Sequence, residues 1–130
     1  MIYLDSCLVI YMVEEHPLWG AAVAHAVELE TDFVVSPLVK CECLVGPIRS
    51  ANAILQREYG RLFAEFALLD MPESVFLRAA ELRAHVRIKL PDALHLACAE
   101  HHRCRELWTN DDRLTRASHG LARNILAASR

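Results

Sequence analysis

The stretch Leu90–Leu114, LPDALHLACAEHHRCRELWTNDDRL, decides how this chain is read. Pro91 suits the first turn of a helix, where its missing N–H has no intrahelical partner, and Asp92 beside it complements the positive helix end. Ala93 to Cys98 add helix formers with apolar side chains on more than one face, which predicts a helix buried along much of its length. The polar run from Glu100 to Arg105 closes it. Glu106 to Thr109 then reads as a short strand, and Asn110, Asp111 and Asp112 as turn residues that cap a following helix. In an open parallel α/β sheet, functional groups gather just past the carboxyl ends of the strands, so Asp92 and Asp111 are the first two candidates for a site.

Outward from that stretch the same alternation recurs. Ile2-Tyr3-Leu4 is a β-prone run that ends at Asp5, and Leu8 to Val13 follows as an apolar helix. Taken alone, Asp5 reads as the cap of that helix. Pro17 to Leu29 predicts a second helix and Asp32 to Val35 a second strand. Ser36-Pro37 is an N-cap with proline at the first helical position, opening a third helix that ends near Gly46-Pro47. Glu42 sits on the second turn of that helix, among Leu38, Val39, Cys41, Cys43, Leu44 and Val45. A carboxylate in such surroundings is costly unless it is paired, hydrogen-bonded or bound to a cation. Cys41 and Cys43 point about 200° apart on a helix and cannot chelate one ion together, so both read as core thiols.

Asn52 to Phe66 carries a helical stripe of Leu55, Tyr59, Leu62, Phe63 and Phe66. Ala67 to Asp70 reads as a third strand, and Glu73 to Val86 as a helix built on Phe76, Ala79, Ala80, Leu82 and Val86. The tail from Leu121 to Leu126 adds a last short strand. Alternating strands and helices imply right-handed βαβ units, hence a three-layer α/β/α sandwich around a parallel sheet of four to five short strands.

Composition sets limits on what this fold can be used for. A chain of 130 residues, 54% hydrophobic and 24% charged, fits one domain over residues 1–130 with a core of its own. The N-terminus lacks a basic, long apolar leader and no segment approaches a membrane span, so a cytoplasmic protein is expected. Five cysteines, Cys7, Cys41, Cys43, Cys98 and Cys104, show no disulfide-framework spacing and fit a reducing compartment. Residues 1–48 hold seven acids and one base, whereas the remainder holds ten acids and thirteen bases. Arg49, Arg57, Arg61, Arg78, Arg83, Arg87, Lys89, Arg103, Arg105, Arg113 and Arg116 are either a rim that holds phosphates or the solvated faces of amphipathic helices.

Four motifs, MIYLDS, SPLVKCECL, LPDALHLACA and LWTNDDRL, arrive in an order and at positions that resemble the PIN-domain ribonucleases, in particular the VapC toxins of bacterial toxin–antitoxin pairs. The resemblance covers almost the whole chain. It implies that Asp5, Glu42, Asp92 and Asp111 form one metal-binding and catalytic cluster, with Thr109-Asn110-Asp111 supplying the family's spacing for the fourth acid. It also implies an RNA substrate, a cognate VapB-like antitoxin, and a homodimer or toxin–antitoxin hetero-oligomer. One departure stands out: the family commonly carries a small hydroxyl side chain two residues after the first acid, where this chain has Cys7.

Elementary electrostatics points the same way. Two carboxylates about 5 Å apart repel by roughly 3 kcal/mol at an effective dielectric near 20, so four together require protonation or a divalent cation. An all-oxygen set suits Mg²⁺, or Mn²⁺, over zinc. Ser6 and Thr109 are hydroxyls placed to orient the carboxylates. His95, one turn after Asp92, reads as a hydrogen-bonded interior histidine before it reads as a substrate contact. Cys98, His101, His102 and Cys104 lack a second ligand pair at zinc-finger spacing. A haloacid-dehalogenase-type phosphatase is disfavoured because Asp5-Ser6-Cys7 lacks the second aspartate. The competing reading from another class is a catalytically inactive PIN-like module that binds RNA or protein.

Overall fold

The computed structural model describes residues 1–127. Five short strands, β1 (Ile2–Leu4), β2 (Phe33–Val35), β3 (Ala67–Leu68), β4 (Glu106–Thr109) and β5 (Ala122–Asn124), form one sheet in the order β3-β2-β1-β4-β5. Every pairing is parallel. The central strands β1 and β2 are buried at every residue, which is why they read as unbroken apolar runs without alternation. Helices cover both faces: α1 (Ser6–Val13), α2 (Gly20–Glu28), α3 (Pro37–Arg49), α4 (Ala53–Glu65), α5 (Glu73–His85), α6 (Leu90–His101) and α7 (Asp112–Ala117). This is the α/β sandwich that the sequence predicts.

The site is set by topology. The chain runs outward from β1 to β2 and β3, then returns to place β4 on the other side of β1. Crossovers therefore diverge at the carboxyl ends of β1 and β4, leaving a crevice there. Asp5 follows β1, Ser36 follows β2, and Thr109 ends β4 with Asp111 just beyond.

Local chemistry corrects several boundaries. The second helix starts at Gly20, not Pro17, because His16 Nδ1 accepts hydrogen bonds from the Leu18 and Trp19 N–H groups and holds residues 17–19 in a separate turn. The third helix runs through Pro47 to Arg49. Proline removes one N–H there, and Gly46 before it has no Cβ to meet the ring, while Ser50 N–H still reaches Gly46 O at 3.0 Å. In α5 the buried positions are Val75, Ala79 and Leu82, whereas Phe76 and Ala80 face solvent. Cys43 is buried but Cys41 is exposed, as residues two apart on a helix must be when one faces the core. Of the apolar residues near the start, Leu8 and Val23 belong to the core, and Tyr11, Met12 and Trp19 are partly buried against it.

Candidate metal centre

Four acids from four parts of the chain line one pocket of about 320 Å³: Asp5, Glu42, Asp92 and Asp111, together with Ser6, Cys7, Tyr11 and Asn110. Asp5 occupies the N-cap position of α1, yet its side chain caps nothing. Instead Oδ2 accepts a 2.7 Å hydrogen bond from Thr109 Oγ1, and Oδ1 lies 3.4 Å from the donating Ser6 hydroxyl. Thr109 is fully buried at the end of β4, and its Oγ1 also accepts from Asp111 N–H at 3.0 Å. One hydroxyl thus fixes the carboxylate after β1 and the backbone that carries the acid after β4.

Asp111 is the cap of α7: its Oδ1 accepts from the N–H groups of Arg113 at 2.8 Å and Leu114 at 3.3 Å. Asp112, the expected alternative cap, instead receives Asn124 Nδ2 at 2.7 Å. Asp92 stands in the first turn of α6, behind Pro91. Burial, then the neighbouring charges of Asp5 and Asp111, push its carboxyl up to about 6, despite the opposing influence of His95. Negative charge is therefore in excess at this point.

Glu42 reaches the pocket from the second turn of α3. Its Oε1 accepts from Ser6 Oγ at 3.0 Å and from His95 Nε2 at 2.5 Å. Burial raises its pKa, but the hydrogen bond and charge of His95, with the Ser6 hydroxyl, outweigh burial and hold it below the usual carboxylate range. Burial likewise lowers His95, and Glu42, Asp5 and Asp92 outweigh that to lift it above the ordinary imidazole value. Each partner favours the charged form of the other. His95 is 1% exposed, and its Nδ1 lies 2.6 Å from Tyr3 Oη, which in turn lies 2.7 Å from Ser36 Oγ. Ligand atoms of Asp5, Glu42 and His95 lie within 4.8 Å of one another, the one such group of three or more among the described residues. Asp92 and Asp111 share the pocket without belonging to that tight group. Cys98, His101, His102 and Cys104 do not converge, which removes the zinc reading; His102 instead meets Asp70.

The donor chemistry fits a hard divalent cation: carboxylate oxygens predominate, and a raised Asp92 marks charge that a cation would offset. Beside the acidic pocket opens a cleft of about 510 Å³ that shares Asp92 and Asp111 with it and is otherwise rimmed by Arg83, Arg87, Lys89 and Arg113, with Val86 and Ile88. A neighbouring depression adds Arg116. The other predicted basic residues do not extend this rim as one surface: Arg78 pairs with Glu81 and Glu100, Arg105 with Glu30 and Glu106, and Arg57 and Arg61 line a separate groove on α4.

The sequence pattern pointed to the four acids but not to Tyr3 and Ser36. Tyr3 looked like strand core and Ser36 like an N-cap, which it also is, since its Oγ accepts from Val39 N–H. The available signal was a polar atom in each of two otherwise apolar, buried segments.

The model of the family described as PIN domain matches residues 2–120. No curated protein sequence matches the chain. Among solved structures, the fold is similar to a toxin–antitoxin complex from Klebsiella pneumoniae, at 21% identity and a TM-score of 0.80, covering 96% of this chain and 98% of that one. VapBC2 from Rickettsia felis, bound to a DNA fragment from its promoter, gives 20% identity and 0.77 over 95% and 98% of the two chains. VapC20 of Mycobacterium tuberculosis, a toxin that cleaves the sarcin-ricin loop, gives 12% identity and 0.77 over 90% and 95%.

Proposed function

The chain belongs to the PIN-domain family, and from that premise we propose that it is a metal-dependent endoribonuclease of the VapC toxin type, with Asp5, Glu42, Asp92 and Asp111 as its metal-binding and catalytic residues. The observation that carries the reading is the convergence of these four acids in one pocket that opens directly onto a cationic cleft. Acids alone would repel an RNA phosphate. Acids flanked by Arg87, Lys89 and Arg113 suit a polyanion whose reacting phosphate meets a cation while its neighbours meet guanidinium groups.

Asp5, Asp92 and Asp111 would hold Mg²⁺ or Mn²⁺, with Glu42 positioning a second ion or the attacking water. When bound, such an ion supplies Lewis-acid activation of water and neutralises charge on the departing oxygen. The protein's part is to keep the carboxylates ionised and aimed. Thr109 does this for Asp5 through its hydroxyl, Ser6 bridges Asp5 and Glu42, and the N–H groups of α7 fix one oxygen of Asp111. Cys7 lines the pocket where a hydroxyl is commonly found, and burial and Asp5 push its thiol well above the ordinary value, so it stays a neutral wall.

A cognate antitoxin, a dimeric or hetero-oligomeric assembly and a cytoplasmic location complete the proposal. The antitoxin and the assembly are supported by the toxin–antitoxin complexes whose folds this chain shares. No described helix is long and apolar enough to cross a membrane. The test is cleavage of end-labelled RNA by antitoxin-free protein in Mg²⁺ or Mn²⁺, with EDTA and Asp92→Asn in parallel. Cleavage that needs both the ion and Asp92 is the expected result. Cleavage retained in EDTA or in Asp92→Asn sinks the assignment, and metal binding with no cleavage of any RNA favours an inactive binding module.

A further inference from the structure

We infer that His95 is the positioning residue of the metal centre: its Nε2–H clamps Glu42 Oε1, and a buried relay through Tyr3 and Ser36 holds the ring in place. This inference rests on the function proposed above, and extends it to residues outside the four acids. His95 Nε2 lies 2.5 Å from Glu42 Oε1, a contact in which the carboxylate oxygen accepts the hydrogen that Nε2 carries. Ser6 donates to the same Oε1. Two donors on one oxygen leave Oε2 with the capacity for a cation.

The ring itself is fixed from behind. Nδ1 lies 2.6 Å from Tyr3 Oη, and Tyr3 Oη lies 2.7 Å from Ser36 Oγ, which also accepts from Val39 N–H. Burial pushes the Tyr3 phenol well above its ordinary pKa, so it remains a neutral link. The relay joins β1, the loop after β2 and α6, and delivers a hydrogen bond to α3. His95 lies in a helix whose residues from Ala93 to Ala99 are all buried. An apolar side chain at that position would avoid the cost of burying an imidazole. A pair kept only for stability is weakly motivated, because replacing buried polar pairs by packed apolar groups is often neutral or favourable. Spatially the clamp answers a local need. Glu42 reaches the pocket from α3, and among the described residues Ser6 is the other side chain that hydrogen-bonds it.

Mn²⁺ affinity, measured by electron paramagnetic resonance of the free ion on the antitoxin-free protein, tests this without relying on cleavage. His95→Leu is expected to weaken Mn²⁺ binding roughly 10–100-fold, and His95→Gln, which returns an N–H near the Nε2 position, to recover most of the loss. Tyr3→Phe keeps the core shape and removes only the Oη link, and is expected to weaken binding by a factor of about three to ten. The melting temperature of each variant identifies those that fold. If His95→Leu does not fold, Tyr3→Phe decides. Parent affinity in a folded His95→Leu or in Tyr3→Phe overturns the clamp alone, as does a folded His95→Gln no better than His95→Leu. A parent protein that binds no Mn²⁺ overturns the metal centre and this inference together.

Discussion

At Asp92 the requirements of the site and of the fold pull in opposite directions, and the consequence is measurable. A carboxyl whose folded pKa of about 6 exceeds its ordinary 3.8 binds its proton more tightly in the folded state. Its contribution is fully present below the ordinary value and is lost as pH rises through about 6. His95, also raised, loses its contribution in the same direction, above the ordinary imidazole range. Glu42, lowered, contributes above its ordinary 4.5 and loses that as pH falls. The metal-free protein should therefore be most stable near pH 5 and weaker by about 1–2 kcal/mol near pH 8, after discounting for the solvent contact of Asp92. Urea titrations at the two pH values check this, and Mg²⁺ or Asp92→Asn should shrink the difference. A protein equally stable at both would show that the acids are not crowded.

Thr109 makes the second residue-scale prediction. Thr109→Val keeps the shape but removes the hydroxyl that serves both Asp5 Oδ2 and Asp111 N–H, and should cost about 1–3 kcal/mol in a denaturant titration, with Thr109→Ser retaining most of the stability. Asp5, Asp92 and Asp111 were legible as candidates because each follows a strand or opens a helix, and Glu42 because a carboxylate stands out in an apolar stretch of helix. What the linear reading could not see was the partner of each acid. Tyr3 and His95 are 92 residues apart, and nothing near either announces the other.

Helix ends show the same limit at the scale of elements. Proline, N-cap and turn chemistry located α3, α6, β4 and the start of α7, since these signals are local. Which face of a helix is buried is decided by a neighbour. In α5 both Val75 and the pair Phe76-Leu77 are apolar, and the face that packs on α6 and the core takes Val75, leaving Phe76 and Leu77 exposed. Gly20 gives a case where this packing reverses a propensity rule. Alanine in a helix is ordinarily about 1 kcal/mol better than glycine. Here a Cβ on Gly20 would lie 2.8 Å from the Tyr11 carbonyl oxygen and 3.0 Å from the Glu15 carbonyl carbon, both backbone atoms. Gly20→Ala is therefore expected to destabilise the protein by about 1–3 kcal/mol, because the α1–α2 corner must open. A raised melting temperature would show that the corner yields freely.

Over the whole molecule, the asymmetry of charge acquires a spatial meaning. The acid-rich first 48 residues supply Asp5 and Glu42, and the basic remainder supplies Asp92, Asp111 and the cationic cleft around them. Not every arginine takes part. Arg78 and Arg105 are held by carboxylates, which leaves Arg83, Arg87, Lys89, Arg113 and Arg116 gathered beside the pocket. If this cleft carries the RNA strand, each cation that meets a phosphate contributes about −0.7 to the slope of log affinity against log salt for a single strand. Removing Arg87 and Arg113 together, as Arg87→Gln and Arg113→Gln, should make that slope shallower by about 1.4 and weaken binding of all sequences alike. Arg57→Gln with Arg61→Gln, on the separate groove of α4, should leave it unchanged. The measurement is fluorescence anisotropy of a labelled RNA over a salt series in Ca²⁺, a hard divalent ion chosen to fill the site while slowing cleavage. Equal slopes for both double variants would place the strand elsewhere and separate the acidic pocket from the basic cleft that adjoins it.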